Sequence, residues 1–303
     1  MKKIWLPLVS SLVVLGAVVS ISGTAHATPE ILTLTPTSAQ PDLLPGASTT
    51  GSLQILDQGS SSFNVRIYSA PYSVKGENYT PDFTPIPGSP NVANWIKTSA
   101  SKGSIAAGQT LTVDYTLSVP AGTQPGGYYA VIFANEQLPK SAQGVVINEQ
   151  VGEIFYITVA GPVKQAGKLL TWSSPFLQKP PISAVLRLEN SGGLQYFSNV
   201  DITVSDIFGG PKYTLNTEKV ILPLTIREIP MTWPHTPALG LFKVGGTATV
   251  LGKTVKLPTR YVLVVSSTVR RVLLIILIAI VLLIIVRFIV RKMRPKRKKS
   301  SRK

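Results

Sequence analysis

Carboxylates, a histidine and a cluster of aromatic rings are the side chains with chemistry to offer in this 303-residue chain. Two acid pairs, Glu149 with Glu153 and Asp201 with Asp206, are close enough in sequence to suggest the two carboxyls that flank the bond in glycoside cleavage. Each lies beside the end of an apolar stretch, where a solvated carboxylate is ordinary, and paired acids catalyse only where a cleft presents a substrate. Other catalytic groups are scarce. The chain has no cysteine, which excludes thiol nucleophiles, disulfide frameworks, iron–sulfur clusters and Cys-ligated zinc. His26 falls in a segment expected to be removed. His235 sits between prolines in Thr232-Trp233-Pro234-His235-Thr236-Pro237, a poor setting for a catalytic base, and no G-x-S-x-G elbow accompanies it. A calcium loop and a Gly-rich phosphate cradle are both missing from the sequence, so it predicts no catalytic residue, no metal and no cofactor.

Aromatic residues are the stronger candidates for binding. Between residues 69 and 95 runs a connection of about 25 residues holding Pro71, Pro81, Pro85, Pro87 and Pro90 together with Tyr72, Tyr79 and Phe83. Connections longer than ~12–15 residues in compact domains tend to be functional or disordered, and prolines reduce the entropy lost when such a loop orders. Ring faces on a stiff loop suit contacts with sugar or protein, which makes Tyr72, Tyr79, Phe83 and the neighbouring Trp95 candidate ligand-binding residues. The same rings could instead pin the loop to the edge of the fold. Tyr128 and Tyr129 alternate faces of a strand, and Trp172 and Trp233 lie in or beside strand candidates, so these read as packing.

The elements that must position these residues are strands. Residues 110–119 alternate cleanly, with Leu111, Val113, Tyr115, Leu117 and Val119 on one side and Thr110, Thr112, Asp114, Thr116 and Ser118 on the other. Residues 62–69 repeat the pattern, and 128–134 and 154–159 are apolar throughout, as strands covered on both faces are. Weaker candidates lie at 31–35, 51–56 and 95–97. After the Ala160-Gly161-Pro162 break come 168–172, 182–189, 200–205, 213–222, 227–233, 241–251 and 254–265. The sequence therefore predicts an all-β body of two tandem Ig-like β-sandwiches, residues 28–161 and 162–266, each of ordinary size for such a domain.

Both ends read as membrane signals. Lys2 and Lys3, an apolar run, and Ala25-His26-Ala27 make residues 1–27 a secretory signal peptide. Residues 270–290 are expected to form one transmembrane helix. Its unbroken apolar run, 272–286, rises ~22 Å, and continuing through Arg287 to residue 290 gives ~28 Å against a hydrocarbon core of ~30 Å. Arg270, Arg271, Arg287 and Arg291 would mark the membrane boundaries, and the basic tail, 291–303, would be cytoplasmic by the positive-inside rule. The formal net charge of +16 is accordingly topological: residues 30–260 hold 16 basic and 14 acidic side chains, a nearly neutral body. A nucleic-acid partner is not expected, since the tail has no aromatic residue for base stacking. No Leu-Pro-x-Thr-Gly sorting signal precedes the helix, leaving the helix itself as the anchor.

Several local motifs carry a resemblance. They are Leu44-Pro45-Gly46, Val65-Arg66-Ile67-Tyr68-Ser69-Ala70 leading to Gly76 and Tyr79, Val119-Pro120, and Pro125-Gly126-Gly127-Tyr128-Tyr129-Ala130. With the order of signal peptide, two sandwiches, spanning helix and basic tail, the chain resembles the WxL-interacting proteins of Gram-positive cell walls. The second half, with Glu189-Asn190, Asp206-Ile207-Phe208-Gly209, Leu222-Pro223 and Gly240-Leu241-Phe242-Lys243-Val244, is similar to membrane-proximal Ig-like domains of other bacterial surface proteins; a pilus-chaperone-like first domain shares several of these features. The resemblance implies a peptidoglycan-binding-type first domain. The expected function is that of a single-pass bacterial cell-surface binding protein, body outside, contacting cell-wall glycan (peptidoglycan) or another surface protein. A chaperone-like assembly factor for surface appendages, using an exposed strand edge, and a wall-active hydrolase are the alternatives.

Overall fold

The computed structural model describes residues 32–59, 62–137 and 150–293. The signal peptide expected at 1–27, Glu149 and all of the basic tail beyond residue 293 lie outside the described residues. The described residues are mostly β-strand with one C-terminal apolar helix. Its first part carries β1 (Leu32–Thr35), β2 (Ser38–Ala39), β3 (Asp42–Leu43), β4 (Ser48–Asp57), β5 (Phe63–Pro71), β6 (Ser73–Lys75), β7 (Thr80–Asp82), a 3-10 turn at Val92–Trp95, β8 (Ile96–Thr98), β9 (Lys102–Ile105), β10 (Thr110–Ser118), β11 (Gly126–Gln137) and β12 (Gln150–Val159). Its second part carries β13 (Gly167–Ser173), β14 (Leu177–Gln178), β15 (Ile182–Asn190), β16 (Tyr196–Asp206), β17 (Pro211–Ile221), β18 (Thr225–Trp233), β19 (Leu239–Val250) and β20 (Lys253–Val265), followed by α1 (Ser267–Met293).

Two pairs of sheets result, each closed on its own core. In the first, the order β1-β4-β10-β8 is set against β2-β12-β11-β5-β9. Leu53, Ile55, Val113 and Leu117 meet Val65, Ile67, Ile132, Phe155 and Ile157 between them. In the second, β13-β15-β18 is set against β14-β20-β19-β16-β17, with Leu186, Leu188, Ile229 and Met231 meeting Ile202, Val204, Val244 and Val262. The period of two that aligns side chains on one face produces these cores. In β10, Val113 and Leu117 are buried while Thr112, Asp114 and Thr116 are not, as the alternation predicts.

The outer edge of β12 is covered by the segment after β1. Ile154 N donates to Thr37 O at 3.0 Å, Thr158 N to Pro41 O at 2.9 Å and Ala160 N to Leu43 O at 2.9 Å. The connection after β5, expected to lack structure, is an ordered ribbon instead. β6 and β7 pair from Ser73 opposite Asp82 to Lys75 opposite Thr80, and Lys75 Nζ lies 2.8 Å from Asp82 Oδ2. Its turn needs left-handed backbone at Gly76 (φ 65°) and at Tyr79 (φ 58°), the second unusual for a ring-bearing residue.

The helix follows the last strand with Ser266 alone between them. Ser266 N donates to Ala238 O at 2.7 Å, and its Oγ accepts from Val269 N at 3.2 Å, capping the helix. The stretch Ser267–Ile289 is 23 residues and holds an 18-residue window of mean hydropathy 3.5, long and apolar enough to cross a membrane. Arg270 and Arg271 lie in its first turns and Arg287 and Arg291 near its far end.

Candidate functional site

The aromatic residues of the connection converge where the two sheet pairs meet. Even-numbered side chains of β5 and β12 and odd-numbered ones of β11 point away from the first core, so Tyr68, Phe133, Tyr129 and Tyr156 share one outer face. The ribbon folds back over that face. Ring centroids run from Tyr68 to Phe133 at 5.4 Å, Phe133 to Phe83 at 4.8 Å, Phe83 to Tyr72 at 6.1 Å, Tyr72 to Tyr156 at 6.3 Å and Tyr156 to Phe197 at 5.8 Å. The row ends in the second sheet pair, where Tyr72, Tyr79, Tyr156, Val220 and Leu222 form a third buried cluster.

Polar groups complete this seam. Arg187 of β15 grips Glu77 at the ribbon tip with two parallel hydrogen bonds, Nε to Oε2 at 2.6 Å and Nη2 to Oε1 at 2.5 Å, the geometry that makes Arg–carboxylate pairs strong. Glu228 N donates to Glu77 O at 2.8 Å. The Tyr79 hydroxyl accepts from Leu222 N at 2.9 Å and donates to Thr225 Oγ1 at 2.5 Å, while Thr225 Oγ1 donates to Leu222 O at 2.8 Å. Arg227 lies over the Tyr79 ring, 4.2 Å from its centroid, and gives one N–H to Val220 O at 2.7 Å. Tyr129 OH donates to Gln195 Oε1 at 2.9 Å, and Gly127 N to Gly193 O at 3.0 Å. The hydrogen bonds from Arg187 hold the Glu77 carboxyl below its ordinary range. Burial pushes the phenols of Tyr72, Tyr79, Tyr129 and Tyr156 up, keeping them neutral donors.

The four residues singled out by sequence therefore have different places. Tyr72 and Tyr79 are buried in the seam, Trp95 is buried in the first core with its ring 4.9 Å from Tyr128, and only Phe83, at 38%, is substantially exposed. The structure brings Tyr72 and Phe83 together and leaves Trp95 apart. Glu77, Arg187, Gln195, Thr225 and Arg227 escaped the sequence reading. Arg227 alone carried a local signal: it occupies the register of Ile229, Met231 and Trp233, the inward face of β18, where a cation is out of place. A cleft of about 360 Å³ opens between the ribbon and the turn after β17, lined by Tyr72, Val74, Ile86, Tyr128, Tyr129 and Leu222 together with Ser73, Thr84 and Ser89. Its walls suit an apolar side chain, and Ile86 stands 55% exposed beside it.

Asp201 and Asp206 do not form a paired site, and Glu149, the partner expected for Glu153, lies outside the described residues. Asp201 and Asp206 are five residues apart on one strand, which puts them on opposite faces and ~16 Å apart along it, beyond the ~9.5 Å of an inverting pair. Asp206 is held by Lys212 at 3.1 Å and by the N–H groups of Phe208 and Gly210. Glu153 is buried on the core-facing register of β12, both carboxyl oxygens lack a hydrogen-bond partner, and burial pushes it up to about 7. Among the described residues no group of three or more His, Asp or Glu could hold a metal ion.

No protein-family model and no curated protein matches the chain. Among solved structures it is similar to the YadV chaperone, at 12% identity and TM-score 0.41 over 77% of this chain and 100% of that one. It is similar at 13% identity and TM-score 0.39 to a chain of the chaperone–tip adhesin complex of CFA/I fimbriae, over 78% of this chain and 99% of that one. A third similarity, at 12% identity and TM-score 0.38, covers 78% of this chain and 98% of one from the CsuC–CsuE chaperone–tip adhesion subunit pre-assembly complex of the archaic Csu pili of Acinetobacter baumannii.

Proposed function

We propose that the chain is a membrane-anchored, chaperone-like holding factor: two tandem Ig-like domains outside the membrane, anchored by α1 with a cytoplasmic tail, that bind another surface protein without enzymatic activity. The observation that carries this reading is the commitment of the loop aromatics. Glycan recognition needs ring faces open to sugar, and Tyr72, Tyr79 and Trp95 have theirs packed in the seam and the first core. That weighs against the peptidoglycan contact implied by the WxL-interacting resemblance. What the surface offers instead is an apolar cleft with exposed Ile86 beside it, and unpaired strand edges, both of which suit a protein chain. The seam supports holding as well, since a bidentate charged pair and a buried tyrosine network fix the two domains as one body, and Ser266 joins that body to the helix without a flexible linker. A holder of adhesin-like subunits, as two of the chaperone complexes above are named, is the class of activity proposed.

The test is retention on the immobilised full chain in detergent micelles, offered soluble peptidoglycan fragments and, separately, surface proteins from the same envelope. Retention of a defined surface protein, reduced by Ile86→Asp, is the expected result. Retention of muropeptides with no surface protein overturns the proposal.

A further inference from the structure

The second sheet pair is open along one flank. There β17 is the last strand of its sheet and β18 the last of the other, so two edges run side by side without a strand between them. β17 is bonded to β16 from Pro211 to Ile221, and among the described residues no strand pairs with its other side. β18 carries Pro230, which has no N–H to offer and makes that edge a poor template. From Lys212 to Ile221, β17 has no proline. Its inward register is Tyr213, Leu215, Thr217 and Lys219, and Tyr213 and Leu215 only partly close the core beneath them.

A groove of about 270 Å³ runs between the two edges, with Leu215, Thr217, Lys219, Arg227 and Ile229 in its walls and Asn78 of the ribbon at its end. Two cations line this groove among mixed apolar and polar side chains. Among the described residues neither meets a carboxylate: the ion pairs there are Lys75–Asp82, Lys168–Glu189, Arg187–Glu77 and Lys212–Asp206. Arg227 spends one N–H on Val220 O and its charge on the Tyr79 ring. Glu228 also lines the groove, but it is exposed on the opposite register and its field acts on Arg187. Inward-pointing charge at a sheet edge discourages indiscriminate pairing. A partner strand overcomes it by bringing an anion, and specificity follows from that requirement.

We infer that β17 is a strand-acceptor edge for an extended segment of the held protein, one that alternates apolar residues inward and places a glutamate or aspartate side chain against Lys219 and Arg227. The inference rests on the protein-holding reading and gives it a site and a partner chemistry. Main-chain pairing along β17 would supply affinity, and the two cations would fix register.

The probe is a fluorescein-labelled, end-blocked peptide, Val-Thr-Glu-Thr-Val-Thr-Val-Thr-Val, compared with its Glu-to-Gln counterpart by anisotropy on the full chain in micelles. The Glu peptide should bind about tenfold more tightly, the scale of one charge-assisted contact. That preference should vanish in Lys219→Gln, a variant at a partly exposed position, and in Arg227→Gln. Amide hydrogen exchange should slow within β17 when the Glu peptide binds. Equal binding of the two peptides, binding of neither, a preference that survives Lys219→Gln, or unchanged exchange in β17 overturns the inference. Envelope-protein retention that persists undiminished in Lys219→Gln places the holding activity elsewhere and leaves the function reading standing, whereas loss of retention by the unmodified chain sinks that reading itself.

Discussion

Tyr79→Phe removes one oxygen from the seam and leaves its shape. The ring remains under Arg227, which sits 4.2 Å from its centroid and is attracted to a phenyl face much as to a phenol. The oxygen lost is the acceptor for Leu222 N at 2.9 Å and the donor to Thr225 Oγ1. Leu222 is 3% exposed and Tyr79 7%, so water cannot replace the missing partner. One net hydrogen bond is worth about 1 kcal/mol and an orphaned buried N–H costs about 1–3 kcal/mol, which together predict a loss of roughly 2–4 kcal/mol. For a folded body of this size each kcal/mol moves Tm by about 2–4 °C, so the variant should melt about 4–16 °C lower when the full chain is followed by near-UV circular dichroism in micelles. The exposed link between the sheet pairs is tied to the second pair where Lys164 O accepts from Gly193 N at 2.9 Å; trypsin cleavage after Lys164 should quicken in the variant if the joint loosens that bond. In a double-mutant cycle with Thr225→Val, the coupling should be on the order of 1 kcal/mol. A Tm within 1 °C of the unmodified chain, with unchanged cleavage, would refute the reasoning that the seam is a buried, fully bonded joint.

Three further outcomes follow from the same geometry. Glu77 is held below its ordinary range by Arg187, so its contribution is complete above that range and disappears as pH falls through the lowered value; Glu77→Gln should melt lower at pH 7 and lose less on acidification from pH ~5 to ~3, as read by thermal melts across that range. Glu153 has the opposite sign: raised from 4.5 to about 7, it favours the folded state when protonated, so stability should decline between those values as pH rises, by on the order of 3 kcal/mol. Urea midpoints of Glu153→Gln should lack that decline, and an unchanged slope would place the carboxyl in water. Gly246 lies at the register shift of β19, where a side-chain carbon would run into the carbonyl oxygen of Asp201 on β16. Gly246→Ala should cost about 1–3 kcal/mol in urea unfolding, because backbone rather than a flexible side chain must move.

The long strands were legible because burial on one face imposes a period of two, and β10, β15 and β16 show it without interruption. β2, β3 and β14 have two residues each, too few for a period, and exist only because β12 and β20 present open edges to them. The aromatic connection was recognisable as special, since prolines and rings crowd it, but its destination was not. Tyr79 finds Leu222 and Thr225 at sequence separations of 143 and 146, and Glu77 finds Arg187 at 110; no local pattern encodes a partner that distant. A charge on an apolar register, Arg227 on β18 as well as Lys219 on β17, is the local sign that something other than core packing is being built.

The direction of the strands connects the seam to the membrane. With α1 in the bilayer, as proposed, β20 descends toward it, since α1 follows Val265 after a single residue. The antiparallel order β20, β19, β16, β17 then makes β19 rise, β16 descend and β17 rise. Pro211 therefore faces the membrane end and Ile221 the seam, which places Lys219 and Arg227 at the far end of the groove and the apolar Tyr213 and Leu215 nearer the bilayer. A segment pairing antiparallel with β17 would enter acidic end first at the seam and run downward. The charge that selects such a segment thus stands where the seam holds Arg227 in place through Tyr79, so loosening that joint by Tyr79→Phe should weaken the Glu-over-Gln peptide preference as well as lower Tm. A preference left intact in a destabilised Tyr79→Phe chain would show that the seam and the groove are independent.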